Sequence, residues 1–248
     1  MSAEPTSISN IASEARPFEP VTLPSVVAGV SLWWSDLAPT QDDIARISPW
    51  LATGETERAA RFATAALREK YIAGRATLRW LLARVLGISP DAVPLRRGLH
   101  GRPELDGTTP APDFNVSHTD GGAVIAIGNG LPPPMRVGVD VEREDRRVGA
   151  DRLARKFLTP REQATLTDID AAGRRQRFLR YWTCKEAMSK ATGDGLSAPF
   201  AQLDVDIDES LRLIAGPAPY DPPAWTLRAI AVPTQFLATL AIWDSSHA

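Results

Sequence analysis

Cysteine occurs once in the 248 residues, at Cys184. No intrachain disulfide can form, and no multi-cysteine zinc site. Histidine is also rare, with three in the chain. Excess positive charge is missing: the formal net charge is −2, whereas a general nucleic-acid binder is usually basic. No apolar run approaches the roughly 20 residues that span a bilayer. The first residues, MSAEPTSISNIASEARPFEP, lack the basic start and apolar stretch of a secretory signal. Lysine is scarce as well. Of 28 basic residues four are lysine, Lys70, Lys156, Lys185 and Lys190, and the rest are arginine. What remains is a cytoplasmic enzyme or binding protein. With 44% apolar and 23% charged residues, it is globular and long enough to bury a core.

Residues 1–20 are polar and without period, and read as a mobile tail. Val26–Leu37 is β-rich. Gln41–Trp50, Glu55–Phe62 and Ala65–Leu86 read as helices; in the last, Tyr71, Leu78, Leu81, Leu82 and Val85 recur at helical spacing before Gly87. Val93–Arg97 is a short strand, GLHGRPEL and GTTPAP are loops, and Asp113–His118 with Gly122–Gly128 form a strand pair. After Pro132-Pro133-Pro134 the order begins again: a strand at Arg136–Glu142, short helices at Asp151–Phe157 and Pro160–Leu166, and a long helix at Arg174–Thr192 before Gly193. A strand at Leu203–Ile207 and a pair at Trp225–Val232 and Phe236–Trp243 complete it. The offset between the halves is roughly 105–115 residues, which predicts a duplicated α+β unit. In each unit a long helix packs on a small antiparallel sheet. The expected halves are 21–131 and 132–248, with a ligand cleft between them.

Three segments carry candidate chemistry. In Val137-Gly138-Val139-Asp140-Val141-Glu142, strand alternation points Asp140 and Glu142 one way and Val139 and Val141 into a core. Two carboxylates at this spacing lie roughly 6–7 Å apart and suit an oxygen-liganded cation such as Mg²⁺. A plainer reading is a solvated strand face. In Trp182-Thr183-Cys184-Lys185-Glu186-Ala187-Met188-Ser189-Lys190, Glu186 and Lys190 share a helix face. They are either a surface ion pair or a third metal carboxylate with a phosphate-binding lysine. In Phe114-Asn115-Val116-Ser117-His118-Thr119, a hydroxyl and an imidazole end a strand, where they bind phosphate or serve the turn. No Gly-x-Ser-x-Gly elbow surrounds Ser117. Arg96, Arg97 and Arg102 lie in a glycine-containing segment that either meets phosphate or is an ordinary solvated loop. Thr159-Pro160-Arg161-Glu162 reads first as a capping box. Arg174, Arg175, Arg177 and Arg180 read as a solvated helix face before a docking patch.

In this order GRP at 101–103, FNVSH at 114–118, VGVDVE at 137–142, FLTPREQATL at 157–166 and WTCKEAMSK at 182–190 resemble the 4′-phosphopantetheinyl transferase family, in its long, duplicated type. With Arg58 and the repeated element order, the resemblance runs from about residue 26 to residue 243. It implies Mg²⁺-dependent transfer of the phosphopantetheine arm from coenzyme A to a serine of an acyl or peptidyl carrier protein of polyketide or non-ribosomal peptide synthases, releasing adenosine 3′,5′-bisphosphate. It also implies Asp140, Glu142 and Glu186 as metal ligands, and Lys190, Ser117 and His118 at the coenzyme A phosphates. Arg58, Arg97 and Arg102 fall near the adenosine phosphates. Glu186, Lys190 and His118 are the catalytic candidates. The base for the serine proton is Glu186, Glu162 or a metal-bound water. Thr119 stands where the family usually has serine, and Lys70 and Arg75 at positions that vary between basic residues. A monomer is expected, because one chain supplies both halves. The competing readings are another Mg²⁺-dependent phosphotransferase or phosphohydrolase, although no Walker A signature is present, and a non-catalytic carrier-binding or coenzyme-A-binding module.

Overall fold

Two 22-residue helices organise the chain, and each is bounded by its own sequence signals. In the computed structural model, which describes residues 19–98, 101–107 and 111–247, the first half runs β1 (Val21–Leu23), β2 (Ser31–Ser35), α1 (Gln41–Ile47), α2 (Thr53–Ala60) and α3 (Ala65–Leu86). It continues with β3 (Leu95–Arg97), β4 (Pro103–Leu105), β5 (Asp113–Thr119) and β6 (Gly122–Gly128). The second half runs β7 (Met135–Arg143), α4 (Ala150–Phe157), α5 (Pro160–Ala164), α6 (Ala171–Thr192), β8 (Asp204–Asp206), β9 (Arg212–Ala215), β10 (Trp225–Ile230) and β11 (Phe236–Asp244). Thr64 and Asp170 cap the N-termini of α3 and α6 with side-chain oxygens, and Gly87 and Gly193 end them in the left-handed conformation. The expected tail falls largely on residues 1–18, outside the described residues.

The fold is a mixed helix and sheet arrangement. One sheet has the order β1-β2-β6-β5 and the other β10-β11-β7, all antiparallel. Both place β2 or β7 beside the last strand of its half, with the penultimate strand next to that, and the first sheet adds β1 outside β2. The loop reading of GLHGRPEL is corrected in part: Pro103–Leu105 pairs with Leu95–Arg97 as a small hairpin. Helix α3 packs on Ala123, Ile125 and Ile127 of β6 in one core. Helix α6 packs on Leu237 and Ala241 of β11 in a second. The sheet faces turned away from the helices share a third core, with Trp34, Val124, Ala126, Val137, Val139, Val141, Phe236 and Leu240. Alternation therefore buries β6 and β11 on both faces. Val85, expected on the buried stripe of α3, is instead exposed in its last turn.

The two sheets meet along β5 and β7 through side chains, not through a backbone ladder. Asp113 Oδ2 accepts from Val137 N at 2.6 Å, Asn115 Oδ1 from Val139 N at 3.0 Å and Ser117 Oγ from Val141 N at 3.2 Å. The partners advance together along both strands, so β5 and β7 run parallel. Side-chain oxygens of β5 take the place that backbone carbonyls fill in a ladder. Every other β5 residue thus answers a backbone donor that would otherwise be orphaned.

Candidate active site

Asp140 and Glu142 lie on the face of β7 turned toward α6, as strand alternation predicts, while Val139 and Val141 enter the shared core. Gly138 precedes them on the same face. A Cβ there would sit 2.0 Å from the Ala187 carbonyl oxygen, so the absence of a side chain is what lets α6 lie this close. Close approach carries Trp182, Glu186 and Lys190, four residues apart on one face of α6, to the end of the β5–β7 seam. Together with Ser117, His118, Thr119, Asp140, Glu142 and Arg146 they line a cavity of about 550 Å³.

The charges in this cavity are paired in a definite way. Lys190 Nζ donates to Asp140 Oδ1 at 2.7 Å and to Ser117 Oγ at 2.8 Å. Ser117 Oγ in turn donates to Asp140 Oδ1 at 2.9 Å. Asp140 Oδ2 is buried and has no partner. Arg146 donates to Glu142 Oε1, and Trp182 lines the same cavity. Burial first, and then the neighbouring Asp140 charge, raise the Glu142 pKa above the ordinary carboxylate range. The same two causes act more strongly on Glu186, which is pushed up to about 7. His118 is exposed at the edge of the cavity. Crowding by the protein and the nearby Lys190 charge lower its pKa, so the imidazole is neutral at pH 7.

Three carboxylates thus share one cavity, but they are not gathered into a chelating group. Among the described residues no three Asp, Glu, His or Cys side chains form one. The reason is electrostatic: the acids repel one another, and Asp140 and Glu142 have turned to Lys190 and Arg146. The donor set nevertheless fits a hard divalent cation. It is all carboxylate oxygen, one oxygen is buried without a partner, and two pKa values are raised, by burial first and by crowded negative charge second.

Other expected residues fall elsewhere. Arg102 is buried at the seam, where it donates to Asp113, to the carbonyls of Phe114 and Val137, and to the carbonyl of Lys190. These contacts hold β5, β7 and α6 together, its Nε is buried without a partner, and the side chain does not line the cavity, unlike the expected place beside phosphate. Arg58 lies on α2 with its guanidinium 5.6 Å from the Tyr71 ring centroid. Arg97 is exposed on β3. Neither of these two lines the cavity. Arg75 pairs with Glu55 at 2.7 Å, and Lys70 pairs with Asp120 at 2.6 Å, one residue beyond Thr119. Glu162 is fully buried, forms the expected capping box with Thr159, and bonds Lys185 at 2.6 Å. That removes it from the candidate bases. The arginines of α6 are tied down: Arg175 to the Glu144 carbonyl, Arg177 to Asp208, Arg180 to the Ala238 carbonyl. Arg146 is the cavity residue the motifs missed. It stands four positions after Glu142, a spacing that means little outside a helix.

Residues 136–240 match the family described as the 4′-phosphopantetheinyl transferase superfamily, and residues 34–129 match the family described as 4′-phosphopantetheinyl transferase, N-terminal. The chain is 30% identical over 215 residues to the 4′-phosphopantetheinyl transferase HetI of Nostoc sp., covering 86% of this chain and 87% of that protein. It is 29% identical over 198 residues to a phosphopantetheinyl transferase of Thraustochytrium sp., covering 75% of this chain and 67% of that one. Among solved structures, the holo-[acyl-carrier-protein] synthase of Thermotoga maritima overlaps 44% of this chain and 62% of its own, at 20% identity and a TM-score of 0.36.

Proposed function

The chain belongs to the 4′-phosphopantetheinyl transferase family and transfers phosphopantetheine to carrier proteins, and from that premise we propose that the cavity at the β5–β7 seam is where the transfer takes place. The substrate is coenzyme A and the acceptor is the serine of an apo acyl or peptidyl carrier protein. The serine oxygen attacks the β-phosphorus of the coenzyme A diphosphate. A new P–O bond forms, the bridging P–O bond breaks, and adenosine 3′,5′-bisphosphate leaves with the electron pair. The observation that carries this reading is the convergence of Asp140, Glu142, Glu186 and Lys190 on one cavity from two elements distant in sequence.

Asp140, Glu142 and Glu186 are the residues to hold Mg²⁺, which when bound supplies neutralising charge at the diphosphate. Lys190 stands between Asp140 and Ser117 and donates to a phosphate oxygen once coenzyme A arrives. His118, neutral at the cavity edge, offers one N–H to the same phosphates. The serine proton moves toward the carboxylate cluster, in which Glu186 holds a proton most strongly. Arg58 and Arg97, outside the cavity wall, serve at most the far end of the nucleotide.

The same reading treats residues 21–131 and 132–248 as two copies of one unit related by a pseudo-twofold axis. The shared strand order and the matching ends of α3 and α6 support it. The first half supplies β5 and the second supplies β7 and α6, so a monomer holds a complete site. Action in the cytoplasm fits a single, buried thiol and the absence, among the described residues, of a helix long and apolar enough to cross a membrane. The test is mass spectrometry of apo carriers from polyketide, peptide and fatty-acid systems after incubation with coenzyme A and Mg²⁺. A carrier heavier by one phosphopantetheine arm is expected. Phosphate release without a modified carrier would turn the assignment into a phosphohydrolase, and binding without turnover would make it a carrier-binding module.

A further inference from the structure

Glu142 shares the cavity with two side chains of opposite character, Trp182 and Arg146. Trp182 is neutral and held in an aromatic cluster, stacked on Phe178 with ring centroids 6.1 Å apart, edge-on to Phe157 at 5.1 Å and tilted against Phe200 at 5.6 Å. Arg146 is charged and lies in the segment after β7. Its side chain is 46% exposed, against 10% for the Glu142 side chain it meets. Its charge also bears on Glu186, whose pKa it lowers against the larger effects of burial and Asp140. One guanidinium therefore acts on two of the three carboxylates.

The molecule shows what a fixed arginine looks like here, and Arg146 differs. Arg79 and Arg102 are buried, and each donates to two or more backbone carbonyls as well as to a carboxylate. Removing either head group would orphan acceptors in the interior. Among the described residues, the side-chain hydrogen bond of Arg146 goes to Glu142 alone. Its head group can leave without exposing anything but the Glu142 charge. A guanidinium released at the wall of a cavity of this size meets a diphosphate with the fork geometry that suits phosphate oxygens.

We propose that Arg146 is an exchangeable counterion: it neutralises Glu142 in the ligand-free chain, yields that carboxylate to the divalent cation, and re-pairs with the diphosphate of coenzyme A. This rests on the reading of the cavity given above, and it predicts effects of opposite sign from one substitution. In Arg146→Gln the carboxylate loses a competing cation, so Mn²⁺ alone, followed by its electron paramagnetic resonance signal, binds about 3- to 10-fold more tightly than to the wild-type chain. Coenzyme A, titrated calorimetrically with saturating Mg²⁺, binds about tenfold more weakly. Arg146→Lys, which keeps the charge and loses the fork, falls between on both measures. The melting temperature of the ligand-free variants stays at the wild-type value. Both affinities unchanged, or both reduced together, would overturn the exchange. So would a loss confined to carrier binding. A wild-type chain that bound neither Mn²⁺ nor coenzyme A would fell the reading of the cavity itself, and the role of Arg146 with it.

Discussion

Helices α3 and α6 are built alike and used differently. Both have 22 residues, a side-chain N-cap and a left-handed glycine at the end. Arg79 stands as far along α3 as Lys185 does along α6. Each is a buried cation bonded to the N-terminal glutamate of the short helix before it. Arg79 meets Glu55 at 2.6 Å, and Lys185 meets Glu162 at 2.6 Å. Each glutamate also accepts the backbone N–H that opens its helix, from Ala52 or from Thr159. Each cation donates further to backbone carbonyls of neighbouring segments: Arg79 to Pro90, Asp91 and Val93, Lys185 to Phe157 and Phe200. The next residue is where the helices part. In α3 it is Trp80, with the Arg84 guanidinium 4.8 Å from its ring centroid. In α6 it is Glu186, with Lys190 one turn on, and both line the cavity. The buried ion pair is therefore a brace common to both halves, and the chemistry is an overlay on one of them. Lys185 and Glu162, beside the site in sequence, belong to the brace.

The hardest blow to this comparison would come at the braces. Lys185→Met strands a buried Glu162 charge and is expected to cost about 3–5 kcal/mol in chemical denaturation. The double variant with Glu162→Leu should recover most of that. Arg79→Met should cost less, about 2 kcal/mol, because Glu55 keeps Arg75. If Arg79→Met left stability untouched, the parallel would fail.

At the overlay, Asp140→Ala should slow carrier modification by about 100- to 1000-fold while the melting temperature holds. Lys190→Ala should raise the KM for coenzyme A about tenfold. Arg84→Ala, its counterpart on α3, should leave that KM alone, and a matching rise there would mean that α3 also reaches the substrate. The helix ends should respond equally: Gly87→Ala and Gly193→Ala each force a side chain into left-handed backbone and cost about 1–2 kcal/mol. The smallest effect expected is on pH dependence. Glu186 holds its proton more tightly folded, with a pKa of about 7, than at the ordinary 4.5. The stability it contributes is complete below 4.5 and is lost as pH rises toward 7. Melting of the ligand-free chain across that window should fall less in Glu186→Gln than in wild type.

Much of this was legible in the residues. Helical spacing with Gly87 placed α3, and Gly193 marked the end of α6, which begins three residues earlier than expected because Asp170 caps it. The alternation of VGVDVE placed Asp140 and Glu142 on one face. Three-residue Val21–Leu23 and four-residue Arg212–Ala215 were not legible as strands, because segments so short carry no period and pair only where a neighbouring edge is offered. Arg102 looked like a phosphate ligand because an arginine beside a glycine has the same appearance whether it faces solvent or a seam. Arg146 had no pattern at all.

The local order of atoms along the chain therefore determined the elements, their ends and which side chains share a face, since those follow from backbone periodicity and capping over a few residues. Which charges meet was decided only when β5 came to lie beside β7 and α6 settled over Gly138. Pairing energies between groups far apart in sequence depend on distances that close only in the folded chain. That is why Lys190 and Arg146 found the carboxylates of β7, while Arg102 and Glu162 were drawn into the interior.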